Sequence, residues 1–179
     1  MTVRKIYTLG EPVLRRPAKK VSQFNKALQE LVDDMVETMQ SADGVGLAAP
    51  QIGISQRIIV VQLPEEYEHP LAGKLFTLVN PEIVERSEEE AIENEGCLSI
   101  PNIIGPVKRA LRVTVKGKDV RGRPTRVEAD GFLARAFQHE IDHLDGILFI
   151  DRVESPELLR RVTPEGEVVP LEMPEELKA

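Results

Sequence analysis

The chain has 179 residues, which suits one compact domain able to build a core without disulfides or a structural metal. At 41% hydrophobic and 30% charged residues it reads as globular rather than disordered, and a net charge of −7 argues against a broad footprint on DNA or on a membrane surface. The single cysteine, Cys97, excludes an intramolecular disulfide and suits a reducing cytoplasm; no apolar run approaches the roughly 20 residues of a spanning helix, and MTVRKIYTLGEP lacks the apolar stretch of a signal peptide.

In chain order, Asn25 to Gln40 reads as an amphipathic helix. Leu28, Leu31, Val32, Met35 and Met39 recur at helical spacing, acidic residues fill the gaps, and Asn25 is placed to cap the first turn. Gly44, Gly46, Pro50 and Gly53 then break regular structure into a sharp loop. Arg57 to Leu63 and Lys74 to Asn80 read as short strands rich in Ile, Val and Leu. Val107 to Lys118 alternates Leu111, Val113 and Val115 with Arg112, Thr114 and Lys116, the pattern of one half-buried strand. DVRGRP turns it into Thr125 to Ala129 as a hairpin. Asp130 stands where an N-cap belongs for a second helix over 131–145, and Gly146 where a terminating glycine belongs. A helix is allowed over Pro156 to Val162, but the prolines at 164, 170 and 174 forbid a long one. This order predicts an α+β fold, with mixed or antiparallel sheets rather than a βαβ repeat.

The second helix carries QHEIDH. His139 and His143, at i and i+4, share one face and can grip one tetrahedral metal ion, while Glu140 sits beside that ion as a base without ligating it. With three histidines and 22 glutamates, chance yields this pattern in only about 0.4% of such chains. Phe132 and Ala136 continue the histidine stripe, so the face points inward, where two imidazoles need partners. A catalytic site needs a third protein ligand and an open position. No histidine follows His143, which leaves Cys97 or a downstream glutamate (Glu154, Glu157, Glu165 or Glu167).

GVGLAAPQIG (Gly44 to Gly53), EGCLSIP (Glu95 to Pro101) and QHEIDH (Gln138 to His143), in this order, resemble the peptide deformylases. The resemblance runs from the N-terminal region to about Asp151 and takes in VNPEI. It makes 1–151 the catalytic domain and 152–179 a tail that is not a domain of its own. It implies a central helix carrying the two histidines, with the sheets packed around it. Cys97, His139 and His143 become the metal ligands, with water in the fourth place attacking the formyl carbon. Glu140 is implied as general base and acid, and Gln51 and the backbone N–H of Leu98 as donors to the formyl oxygen. The implied substrate is the N-formylmethionyl end of nascent peptides, with at most a transient proximity to the ribosome. The implied cofactor is one divalent ion, Fe²⁺ in cells, with Zn²⁺, Ni²⁺ or Co²⁺ as substitutes.

The resemblance also implies an apolar pocket beside the metal, and Val45, Ile92, Phe132 and Ala136, with the His139 ring, are expected to wall it, Gly46 being where a substrate backbone approaches closely. Arg135 is expected at its rim, and Glu95 with Arg109 as a clamp near Cys97. Two rival readings stand: a small thermolysin-like metalloprotease using a downstream glutamate, and a non-catalytic metal-containing binding protein. In the tail, six acids against three bases over 155–179 argue against docking on rRNA. Oligomeric state is not written in these features.

Overall fold

The computed structural model describes residues 2–171. Asn25 caps helix α1 (Lys26–Ser41), its side chain accepting from the Leu28 N–H at 3.1 Å, and Leu28, Val32, Met35 and Met39 bury one face. The expected break after it holds a short strand, β1 (Gly46–Ala48), and a 3₁₀ turn, Ala49–Ile52, closed by Gly53. Three glycines and a proline hid β1, which exists because Leu47 and Ala48 are fully buried and pair with the next strand.

That strand, β2 (Ile58–Gln62), pairs with β3 (Leu75–Arg86), which runs past Asn80, where the sequence pattern ended it. Pro81 interrupts the ladder, and β3 resumes through register shifts opposite β6 (Arg112–Lys118). The expected single strand over 107–118 is two. β4 (Glu90–Cys97) pairs with β5 (Ile100–Ala110) in one sheet, and Leu111 carries the chain across to β6 in the other. Alternation survives this crossing because both sheets bury one face, so the pattern does not betray the change of partner. β6 and β7 (Pro124–Asp130) form the expected hairpin.

Helix α2 (Gly131–Leu144) lies between the two sheets, ordered β1-β2-β3-β6-β7 and β4-β5-β8-β9. Every strand pair among the described residues is antiparallel. Asp130 occupies the N-cap position without capping, because its Oδ1 is 2.6 Å from His69 Nε2. Gly146 ends the helix at φ 75°, and a Cβ there would stand 2.6 Å from the Arg15 carbonyl oxygen, so only glycine fits.

The tail differs from expectation. Helix is limited to a 3₁₀ turn, Pro156–Leu158, and β8 (Arg160–Val162) and β9 (Val168–Pro170) add to β5. Leu159 drives this by burying against Leu14, Ile100, Val107 and Phe149. The N-terminal segment carries one 3₁₀ turn, Pro12–Arg15, and is tied across both halves. Tyr7 N–H donates to Gln51 O at 2.7 Å, Leu9 N–H to Ser99 O at 2.9 Å and Ala18 N–H to Leu144 O at 2.8 Å. No helix among the described residues is long and apolar enough to cross a membrane.

Candidate metal centre

Of the 14 residues of α2, 11 are buried, polar ones included. Such a helix is tolerated because its polar groups find partners. Gln138, for one, accepts from Ala110 N–H and donates to Ala110 O and Ala134 O. His143 is 1% exposed and His139 half-buried, their ring centroids 5.1 Å apart. β4 ends at Cys97, 46 residues from His143, with Sγ 3.3 Å from His143 Nε2. One donor atom from each of Cys97, His139 and His143 lies within 4.8 Å of the others. A tetrahedral ion with bonds of about 2.0 Å to nitrogen and 2.3 Å to sulfur holds its ligands at such separations.

The surroundings fit a cation. His139 Nδ1 donates to Glu95 Oε1 at 2.8 Å, which fixes the ring and leaves Nε2 facing the other donors. Burial opposes charge on the His139 ring, but its hydrogen bonds to Cys97 and Glu95 outweigh it, so these partners favour positive charge at the place an ion would occupy. Burial, with His139 alongside, keeps His143 neutral, the form that ligates.

Glu95 is itself gripped. Burial would raise its carboxyl, but the Arg109 guanidinium, in two 2.9 Å hydrogen bonds, and His139 hold it far below the ordinary carboxylate range. Arg109 also bonds Asp142 at 2.6 Å, and Asp142 takes a fork of bonds from Arg152. The expected Glu95–Arg109 clamp is present; Asp142 and Arg152, which extend it, were not foreseen. The one available signal was the position of Asp142 three residues after His139, on a neighbouring face.

A cavity of about 380 Å³ opens beside these donors. Val45, Gly46, Gln51, Cys97, Leu98, Phe132, Ala136, His139 and Glu140 all border it. Glu140 is 3% exposed, and its Oε2 has no hydrogen-bond partner. Gln51 is oriented by Ala48 N–H, which donates to Oε1 at 2.9 Å. Its Nε2 donates to Ser99 Oγ at 3.1 Å and approaches Cys97 Sγ at 3.6 Å. Ser99 was missed from sequence, as was Phe149, whose ring stacks 6.1 Å from His139.

Two expectations fail. Ile92 is 59% exposed, because it alternates outward along β4. Arg135 is not free at the rim. Its guanidinium is buried, donating to Glu95 Oε2 at 2.6 Å, Val107 O at 2.8 Å and Ala91 O at 2.9 Å. Glu154, Glu157, Glu165 and Glu167 are all exposed, and among the described residues the donor that joins the two histidines is Cys97, not a downstream glutamate as the thermolysin-like reading requires.

A thiol and two imidazoles converging beside an unpartnered buried carboxylate, under an α+β fold, are the donor set of a single-metal hydrolase. The family model of the polypeptide deformylases matches residues 3–158, and the chain belongs to that family. A peptide deformylase of Halothermothrix orenii is 54% identical over 153 residues, covering 86% of this chain and 95% of its own. One from Dehalococcoides mccartyi is 46% identical over 178 residues, covering 99% of each. The crystal structure of peptide deformylase from Thermotoga maritima superposes with a TM-score of 0.80 at 42% identity, over 87% of this chain and all of that one. A peptide deformylase from Synechococcus elongatus, in complex with actinonin, superposes at 0.76 with 47% identity, over 84% of this chain and 78% of that one.

Proposed function

We propose that this chain hydrolyses the formyl group from N-formylmethionine at the N-terminus of newly made polypeptides, in a reducing cytoplasm. The observation that carries the reading is the approach of Cys97 Sγ to 3.3 Å from His143 Nε2, over the cavity that buries Glu140. In this reading Cys97, His139 and His143 hold one divalent ion, Fe²⁺ in cells, with Zn²⁺, Ni²⁺ or Co²⁺ able to replace it. When bound, the ion supplies Lewis-acid polarisation of the formyl carbonyl and makes water acidic enough to attack near neutral pH.

Glu140 takes the proton of the attacking water and passes it to the amine nitrogen as the C–N bond breaks and formate leaves. Burial pushes its carboxyl up to about 7, close to the pH at which it must both accept and donate. A Gln51 amide N–H and the backbone N–H of Leu98 steady the oxyanion as it forms, without adding charge. Val45, Gly46, Phe132 and Ala136 surround the first side chain. β1 and β4 are the outer strands of their sheets and both border the cavity, so an extended peptide can pair with either edge.

The test is metal content and hydrolysis of formyl-Met-Ala-Ser by anaerobically purified protein. Glu140→Ala is expected to keep metal and fold while turnover falls by about 10²–10⁴-fold. Cys97→Ala is expected to lose the ion. Retained metal in Cys97→Ala, or wild-type cleavage of unblocked peptides in place of deformylation, overturns the reading.

A further inference from the structure

The segment between β2 and β3 is a built loop rather than a slack connection. Gly73 N–H donates to Leu63 O at 2.9 Å and Gln62 Nε2 to Gly73 O at 2.9 Å, closing its base. His69 anchors its middle. Nε2 of the ring is 2.6 Å from Asp130 Oδ1, and Nδ1 accepts from Leu71 N–H at 3.0 Å, while the Leu71 side chain packs on the main core. The loop therefore docks on the first turn of α2, and this explains why Asp130 does not cap that helix.

What the loop presents there is Tyr67. Its ring stacks on Phe132 with centroids 5.0 Å apart and planes 21° from parallel, although Tyr67 is 47% exposed. An exposed aromatic held flat against a second ring serves as a support for it. Phe132 borders the cavity and Tyr67 does not. Phe132 also stands seven residues before His139, about 10 Å from it along the helix axis. An unbranched side chain whose formyl group sat at the donor trio would run along this cavity toward that ring. Phe132 is thus the far wall of the pocket, a half-buried ring that packs on the main core and, away from it, on Tyr67.

We infer that Tyr67 is a specificity-determining positioning residue: by holding the Phe132 ring, it limits how large a first side chain the cavity accepts. This rests on the deformylase reading and adds to it a residue that touches neither substrate nor reacting atoms. Without the support, Phe132 swings outward, the pocket deepens, and bulkier formyl-aminoacyl ends gain access.

The experiment compares the metal-loaded full-length protein with Tyr67→Ala, Tyr67→Phe and His69→Ala on formyl-Met-Ala-Ser and formyl-Phe-Ala-Ser. In Tyr67→Ala, the ratio of kcat/KM for formyl-Met over formyl-Phe is expected to fall by about two- to tenfold, the range one aromatic pair supplies. The change should lie mainly in KM, with metal content and Tm unmoved. Tyr67→Phe keeps the stack and should match wild type, and His69→Ala, which frees the loop at its anchor, should lower the ratio in the same direction. An unchanged ratio in Tyr67→Ala, or an equal fall in Tyr67→Phe, overturns the inference while leaving the deformylase reading intact. A wild-type protein inactive on both formyl peptides sinks that reading and this inference with it.

Discussion

Gly46 shows how much one absent carbon decides. A Cβ at that position would stand 2.8 Å from Glu140 Cγ and 2.9 Å from its Cδ, distances that real side chains do not tolerate. From sequence, Gly46 invites the reading of a backbone that a peptide approaches closely. The structure adds an inward reason, since the same bareness lets the carboxylate lie against β1. Gly46→Ala is therefore expected to displace Glu140 and lower kcat by about tenfold to a hundredfold, as ångström-scale misplacement of a catalytic group does. Metal content should not change; a variant with wild-type kcat would remove the role. Side-chain chemistry was the legible part of this region. The packing of a glycine against a residue 94 positions later was not, because nothing local to either residue encodes it.

At the scale of elements, α2 is both the core of the molecule and the carrier of its chemistry. Phe137 is fully buried on it, two residues before His139, and meets Phe76 of β3 edge to face at 5.4 Å. Phe137→Ala is expected to cost about 3–5 kcal/mol, seen as a lower urea midpoint, with loss of activity following loss of fold. A cost under about 1 kcal/mol would mean that the helix is not the packing centre described here. This helix was readable because the spacing of His139 and His143, the apolar stripe and the terminating Gly146 all follow from one local period. The chain between Ile100 and Lys118 was not readable in the same way. Val107, Val113 and Val115 announce burial, yet nothing in them says that the partner strand changes at Leu111. The strand β8 was lost for a related reason: three residues, paired only through β5 and β9, are too few to show a period.

For the whole molecule, the charge asymmetry of the last segment matters more than its shape. Residues 155–171 cover the cluster around Phe149 and extend the sheet that ends in Cys97, so they serve the fold. The expectation about rRNA falls partly on residues 172–179, which lie outside the described ones. We predict that ribosome co-sedimentation is equally strong with and without residues 172–179, since an acidic segment gains nothing from a polyanion. Binding abolished by the deletion would overturn this. Family, fold class, the metal-ligand candidates and the candidate general base stood out in three motifs. The chain of ion pairs through Glu95, Arg109, Asp142 and Arg152 was legible only in part, because it joins β4, β5, α2 and the turn after Asp151 through charges that sequence alone leaves unpaired.

The ties of the N-terminal segment have a consequence for vectorial synthesis. Residues 7–18 are made before the carbonyls they bond, which belong to Gln51, Ser99 and Leu144. Leading residues must therefore wait, unpaired, until trailing ones appear, which makes closure of the molecule a late, long-range event.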